Sequence, residues 1–196
     1  MSTRKKAWQE FSNEIQATYV KSGIIKSDRI EATFQNWQVV YDSFVLPVGS
    51  VMLMYTRIRA PFLAKTDFKF RITKKTFFDK IKELFGKSDV GIDDSRIDDA
   101  FVIKSNSAEK IKNLLSNENL KKLLLEKADS HFEFSHGYKG IGRQFPKGCD
   151  GLSLVLLYES TGTDKLNLIY SLFGEVLTSL LESGDICDQP IDVELK

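Results

Sequence analysis

Hydrophobic residues change their spacing along this chain in a way that separates helices from strands. Trp8, Phe11, Ile15 and Tyr19 recur at intervals of three and four between residues 4 and 22, which puts them on one helix face. Ser2 or Thr3 can cap that helix and Gly23 can stop it, so an amphipathic N-terminal helix is expected within 1–23. From Arg29 the period becomes two. Ile30, Ala32 and Phe34 alternate with Glu31, Thr33 and Gln35, and beyond Asn36 the residues Trp37, Val39, Tyr41, Ser43 and Val45 alternate with Gln38, Val40, Asp42 and Phe44. Pro47 and Gly49 break the run. Two further strands are expected over 50–59 and 67–73, parted by Ala60-Pro61-Phe62, and four successive strands with short connections predict an antiparallel meander.

The helical period returns at Thr76 to Phe85, with Phe77, Ile81, Leu84 and Phe85 as its apolar stripe and Gly86 at its end. The acidic run Asp89 to Asp99 reads as a loop or irregular edge, and Phe101-Val102-Ile103 as a short strand. Ser107 can cap a helix carrying Ile111, Leu114 and Leu115, followed by a second short helix with Leu120, Leu123 and Leu124. His131 to Ser135 and Leu152 to Glu159 are expected strands, the second buried on both faces, and the glycine-rich stretch from Gly137 to Gly142 joins them. Asp164 can cap a last helix to Glu182, whose broad face carries Leu166, Ile169, Leu172, Phe173, Val176, Leu177, Leu180 and Leu181. Gly184 ends it, and 185–196 is expected to be a poorly ordered tail. Strands and helices are segregated rather than strictly alternating. The expectation is therefore one α+β domain over 1–196, an antiparallel sheet packed against helices, with a long C-terminal helix.

One ordered series carries a resemblance. Phe70-Arg71-Ile72, the stretch Phe78 to Gly86, the phrase from Asp98 through Phe101-Val102-Ile103-Lys104-Ser105, Leu114-Leu115, and Leu120 to Leu124 follow one another. In this the chain resembles a bacterial family of uncharacterised domains. That family has a basic strand, a helix ending in Phe-Gly, an acidic loop, and a Phe-Asp-x-x-Phe-x-Val-x-Ser-like phrase before a leucine-rich helix. The likeness spans Tyr55 to Gly184 and departs at Ile97, where the family usually has Phe. It implies a fold and no assigned activity.

Composition narrows function mainly by exclusion. The 28 Lys and Arg against 27 Asp and Glu leave a formal net charge of +1, without the strong basic excess that marks nucleic-acid binding. No apolar run is long enough to span a bilayer, and the basic N-terminus lacks a signal-peptide core because Gln9, Glu10, Asn13 and Glu14 interrupt it. Cys149 and Cys187 fit no metal or disulfide pattern, as expected of free thiols in a reducing compartment. A soluble, cytoplasmic protein is expected.

Locally the charge is less even. Residues 51–75 hold Arg57, Arg59, Lys65, Lys69, Arg71, Lys74 and Lys75 against the single acid Asp67. If Ile58, Phe68, Phe70 and Ile72 face the core, alternation turns Arg57, Arg59, Lys69 and Arg71 to the other side. Pairing of those two strands would gather four cations, which repel unless acids or an anionic ligand join them. The Asp89 to Asp99 run is one candidate cover. These four residues form the candidate anion-binding site, for an anionic ligand or an acidic protein.

The remaining chemistry is weaker. The acidic run lacks EF-hand spacing, and the odd separation of His131 and His136 on a strand sends them to opposite faces, where they cannot easily share a metal. No nucleophile elbow or papain-like cysteine context is present, and the glycines from 137 to 148 match neither dinucleotide-binding nor P-loop spacing. No enzyme, metal or cofactor is expected. The functional reading is a noncatalytic binding or interaction module. The alternative is a carrier of a small apolar or amphipathic ligand, with Trp37, Tyr41, Phe44 and Tyr55 lining a cavity between the sheet and the last helix.

Overall fold

The structure is a computed structural model that describes residues 3–21, 28–48, 50–75, 89–126, 132–137, 145–146, 148–157, 162–191, 193 and 195. The helix expected at Thr76 to Phe85 lies outside the described residues. Helix α1 (Thr3–Glu14) leads into strands β1 (Thr18–Val20), β2 (Arg29–Phe34), β3 (Trp37–Val48), β4 (Val51–Phe62) and β5 (Phe70–Lys74). Helix α2 (Ser95–Ala100), β6 (Phe101–Ser105), α3 (Ala108–Leu114), α4 (Glu118–Glu126), β7 (Phe132–His136), β8 (Asp150–Leu157) and α5 (Thr163–Glu182) follow. The fold is α+β, with one eight-stranded antiparallel sheet in the order β1-β2-β3-β4-β8-β7-β5-β6.

Alternation assigns the two faces. Tyr41, Ile58, Leu154, Phe134, Ile72 and Ile103 stand in register across six strands, and all are buried in one cluster with α1, α2, α3, α4 and α5. The helices thus share one face of the sheet. Along α5 the buried Leu166, Ile169, Leu172, Phe173, Val176, Leu177 and Leu180 recur at helical spacing, and Phe173 meets Phe134 at 5.6 Å between ring centroids. Gly184, at φ +75, closes the helix through Gly184 N to Leu181 O and Asp185 N to Leu180 O, a termination that favours glycine.

Several local expectations change. The first helix ends at Glu14, because Gln16 enters the left-handed region at φ +55 and the β-branched Thr18 and Val20 pair with β2. Strands β3 and β4 run through Pro47 and Pro61, positions where the ladder demands no N–H. The acidic run contains α2, whose N-cap Asp94 accepts a hydrogen bond from Arg96 N. The last helix starts at Thr163 with Gly162 at its N-cap, so Asp164 lies inside the first turn. The expected loose tail is held at its start. Ile186 is fully buried and bridges Ala64, Cys187 N donates to Leu63 O, and Leu195 is buried too. Burial raises the carboxyl pKa of Asp185, but hydrogen bonds from Lys110, Ser183 and Thr66 outweigh it and hold the group below its ordinary range.

The largest topological correction concerns β5. It does not pair with β4, because the β7–β8 hairpin lies between them. The connection after Phe62 crosses the ends of those strands, pinned by Thr66 Oγ1 to Asp185 Oδ1 at 2.6 Å and Lys65 N to Asp185 O at 2.8 Å.

Tyr41 sits in the core against Phe11, at 5.3 Å, and Tyr170, at 6.5 Å. Its hydroxyl is buried with no hydrogen-bond partner among the described residues, and burial, then Tyr170, pushes its pKa well above the ordinary value. Removing an unpartnered buried hydroxyl relieves a desolvation cost, so Tyr41→Phe should leave stability unchanged or raise it by about 1 kcal/mol. A denaturant midpoint lower than that of the parent chain would contradict this.

Candidate functional site

The face of the sheet turned away from the helices is buried as well, yet its central residues are polar and charged. One cross-strand row reads Val40, Arg59, Ser153, Ser135, Arg71 and Lys104 from β3 to β6. The next reads Asp42, Arg57, Val155, Glu133, Thr73 and Val102. Every residue of both rows is buried. The expected alternation therefore holds: Ile58, Phe70 and Ile72 enter the helix-side core while Arg57, Arg59 and Arg71 share the opposite face.

Their surroundings differ from the expectation. The arginines are not a solvent-facing patch. Arg57 Nε donates to Asp42 Oδ1 at 2.7 Å, and Arg59 Nη2 donates to Asp42 Oδ2 at 2.9 Å, so one carboxylate holds two guanidinium groups. Asp42 can do this because it lies directly opposite Arg57 in the ladder. Arg57 also lies over the Phe44 ring, 5.2 Å from its centroid. Burial lowers the pKa of Arg59, an effect that Asp42 opposes and neighbouring Arg57 reinforces. Arg71 Nε is 3.8 Å from Glu133 Oε1, an ion pair along the diagonal of β5 and β7. Lys69 precedes β5 and is exposed. Its backbone is tied to Asn106, and its side chain lies where a Cβ on Gly137 would stand, 2.4 Å from Cγ.

Because β7 and β8 intervene, Arg57 and Arg59 do not face Lys69 and Arg71 directly. The like-charged neighbours in the ladder are instead Arg71 and Lys104, a juxtaposition that Glu133 offsets. The acidic run does not cover this face either. Asp93 pairs with Lys112 at 2.6 Å, Asp94 caps α2 and contacts Lys121 at 3.2 Å, and Asp98 Oδ1 accepts from Ile92 N at 2.9 Å. The hydrogen bond from Arg96 and those from its neighbours hold the Asp94 carboxyl far below its ordinary range, despite an opposing contribution from desolvation. These contacts also form a polar groove of about 510 Å³ lined by Asp93, Asp94, Lys112 and Lys121, remote from the arginine rows.

Between Arg59 and Arg71 lie Ser153 and Ser135, direct partners across β7 and β8. Each is only 1% exposed, and neither Oγ has a hydrogen-bond partner among the described residues. A buried hydroxyl without a partner costs about 1–3 kcal/mol. At one end of this face, Gly151 makes room for Phe145, because a Cβ there would stand 2.2 Å from the Phe145 ring. Asp42, Glu133, Ser135 and Ser153 were not singled out from sequence. Their signal was parity, since each interrupts an apolar alternation from the side opposite the core.

The histidine and aromatic expectations also resolve. His131 lies outside the described residues. His136 faces the helices between Phe62 and Phe70, with Nδ1 3.2 Å from Gly151 O, and burial lowers its pKa despite that hydrogen bond. Trp37 and Tyr41 belong to the helix-side core, whereas Phe44 and Tyr55 stack at 5.3 Å in the cluster on the other face. The odd separation of Tyr41 and Phe44 places them on opposite faces, so the four aromatics do not line one cavity. Cys149 and Cys187 are free, half-buried thiols. Among the described residues no helix is long and apolar enough to cross a membrane.

With this α+β architecture and its polar inner face established, comparison with protein families, curated proteins and solved structures finds no match.

Proposed function

We propose that the protein is a noncatalytic binding module that takes an anionic group on the face of the sheet opposite the helices. Ser135 and Ser153 supply hydroxyl donors, and Arg59 and Arg71 flank them as sources of positive potential. The observation carrying this reading is the pair of opposed hydroxyls, buried and without hydrogen-bond partners among the described residues. Buried polar groups are normally satisfied, and an anionic oxygen is the acceptor that best suits two hydroxyls set between guanidinium groups.

The two rows bring Arg57, Arg59, Arg71 and Lys104 onto one buried face together with Asp42 and Glu133. Arg59 and Arg71 stand three strand spacings apart, about 14 Å between backbones. Arg59 is held toward Asp42 on β3 and Arg71 lies beside Glu133 on β7, so the serine pair between them suits one phosphate or carboxylate group or the acidic side chain of a protein. Lys69 is the exposed cation on the approach. Two free thiols fit a cytoplasmic setting.

The test is thermal unfolding with inorganic phosphate or citrate at fixed ionic strength, using chloride as control. Phosphate or citrate should raise the melting temperature of the parent chain as a native-state ligand does. The paired change Ser135→Ala with Ser153→Ala should remove that rise while leaving the anion-free melting temperature equal or higher. Identical melting of the parent chain in all three salts would refute the proposal.

A further inference from the structure

Strands β3 and β4 outrun their neighbours. Pairing to β2 reaches only Tyr41 on β3, and pairing to β8 reaches only Thr56 on β4, whereas β3 and β4 continue to pair as far as Val48 and Val51. Among the described strands, the distal part is thus a two-stranded ribbon. No residue from Ser43 to Thr56 is charged. Val45 and Met54 form one ladder pair, Pro47 and Met52 the next on the same face, while Leu46 pairs with Leu53 on the other. Met52 is 65% exposed and Val51 56%, with Val45 and Met54 also exposed. Large apolar side chains so displayed mark an interaction surface.

The base of this ribbon has a different chemistry. Phe44 and Tyr55 stack there. Arg4 on α1 donates to Ser43 Oγ, which brings Arg4, Lys5 and Lys6 to the same end of the sheet. Register through Thr56, Leu156 and Phe132 brings the end of β5, with Lys74 and Lys75, to that end too. The nearby acids on the described residues include Glu10, 3.7 Å from Lys6, Asp28, buried 3.6 Å from Lys5, and Asp99, with Asp42 and Glu133 one rung further in beside Arg57 and Arg71. The order outward is cations, an aromatic pair, then an uncharged apolar tip.

We infer that this ribbon docks the protein onto an anionic lipid bilayer, with Val51, Met52 and Pro47 in the interface and the basic end of the sheet against the headgroups. A bilayer suits the ribbon because its exposed apolar residues, Val45, Met54, Met52 and Val51, run to the tip without a charge and the cations lie behind them. On the face opposite Met52, Leu46 and Leu53 pack toward Tyr55 and Val155. Basic residues favour anionic lipid. The five residues from Phe44 to Val48 reach about 16 Å. Open strand edges are excluded from hydrocarbon, so insertion stops near the headgroup–acyl boundary. Pro47, lacking an N–H, has one fewer edge donor to desolvate.

Vesicle flotation tests the inference, with phosphatidylcholine containing about 30% phosphatidylserine compared with pure phosphatidylcholine, a contrast chosen for its surface charge. The full chain should float with the anionic vesicles, less so as salt rises. Met52→Asp should lower the bound fraction about tenfold by exchanging an apolar tip for a charged one, with an unchanged melting temperature because the side chain is exposed. Met52→Trp should show a blue-shifted emission on adding anionic vesicles, against the buried Trp8 and Trp37. The Ser135→Ala, Ser153→Ala chain should float like the parent, separating this surface from the anion site. Absence of flotation at low salt would overturn the inference. So would a dimer, seen by light scattering, that Met52→Asp dissociates while vesicle binding is unaffected.

Discussion

Asp42→Asn should cost about 3–5 kcal/mol of unfolding free energy, because it removes the charge that two buried guanidinium groups share. Arg57 and Arg59 converge on this carboxylate from adjacent positions on one face of β4. An amide keeps the shape but offers one acceptor oxygen and no charge, leaving two buried cations to repel. Arg59→Met removes one of those cations, lets Asp42 keep Arg57, and should cost less than the Asp42 change. Combining Asp42→Leu, Arg57→Met and Arg59→Met removes charge and countercharge together and should recover most of the loss, since well-packed apolar groups often replace buried ion clusters without penalty. Denaturant unfolding of all three proteins provides the measurement. A single Asp42→Asn loss below about 1 kcal/mol would place the cluster in the class of solvent-screened surface pairs.

That cluster also shows what strand patterning made legible. The alternation from Phe68 to Ile72 and around Ile58 correctly placed Arg57, Arg59 and Arg71 on the face opposite the apolar core. It contained no information on which strand lies beside which, since period two is a property of each strand alone. Reading β4 and β5 as neighbours followed from chain order, whereas the β7–β8 hairpin, formed by residues some 70 positions later, inserts between them. Asp42 was visible as a polar residue in β3, but its partnership depends on the register that opposes it to Arg57. The serines were harder to find. Ser153 lies in Leu152-Ser153-Leu154, a run correctly read as buried on both faces, and only its pairing with Ser135 turns an ordinary small residue into one half of a site.

Helices were legible where a cap or a glycine stop agrees with an apolar stripe, as at Ser107, whose side chain accepts from Lys110 N, and at Gly184. The end of α1 was less so. Ile15 and Tyr19 continue its helical spacing, yet Tyr19 stands on an edge strand and donates to Asp28 Oδ2 at 2.6 Å. The pairing of β1 with β2, a tertiary contact, outweighed a spacing that fits helix and strand alike over so few residues. Burial of Ile186 was equally non-local. A short apolar residue after a helix stop resembles a tail until the β4–β5 connection provides the surface on which it docks.

The second large effect is expected beneath the candidate site. Phe134 lies on β7 between Glu133 and Ser135, but faces the helices, is fully buried, and contacts Phe70 and Phe173 at 6.4 and 5.6 Å between centroids. Phe134→Ala should cost about 3–5 kcal/mol through lost burial and the cavity left behind. Phe134→Leu keeps most of the volume and should cost less, with the β7 backbone retained. The pair therefore separates support of the site from membership in it. Under the anion-binding proposal, Phe134→Leu should retain the phosphate-dependent rise in melting temperature at a lower baseline, whereas Ser135→Ala with Ser153→Ala should lose the rise at an unchanged or higher baseline. If both proteins lose the rise in parallel with their stability, the salt response belongs to general folding rather than to the hydroxyl pair on the opposite face.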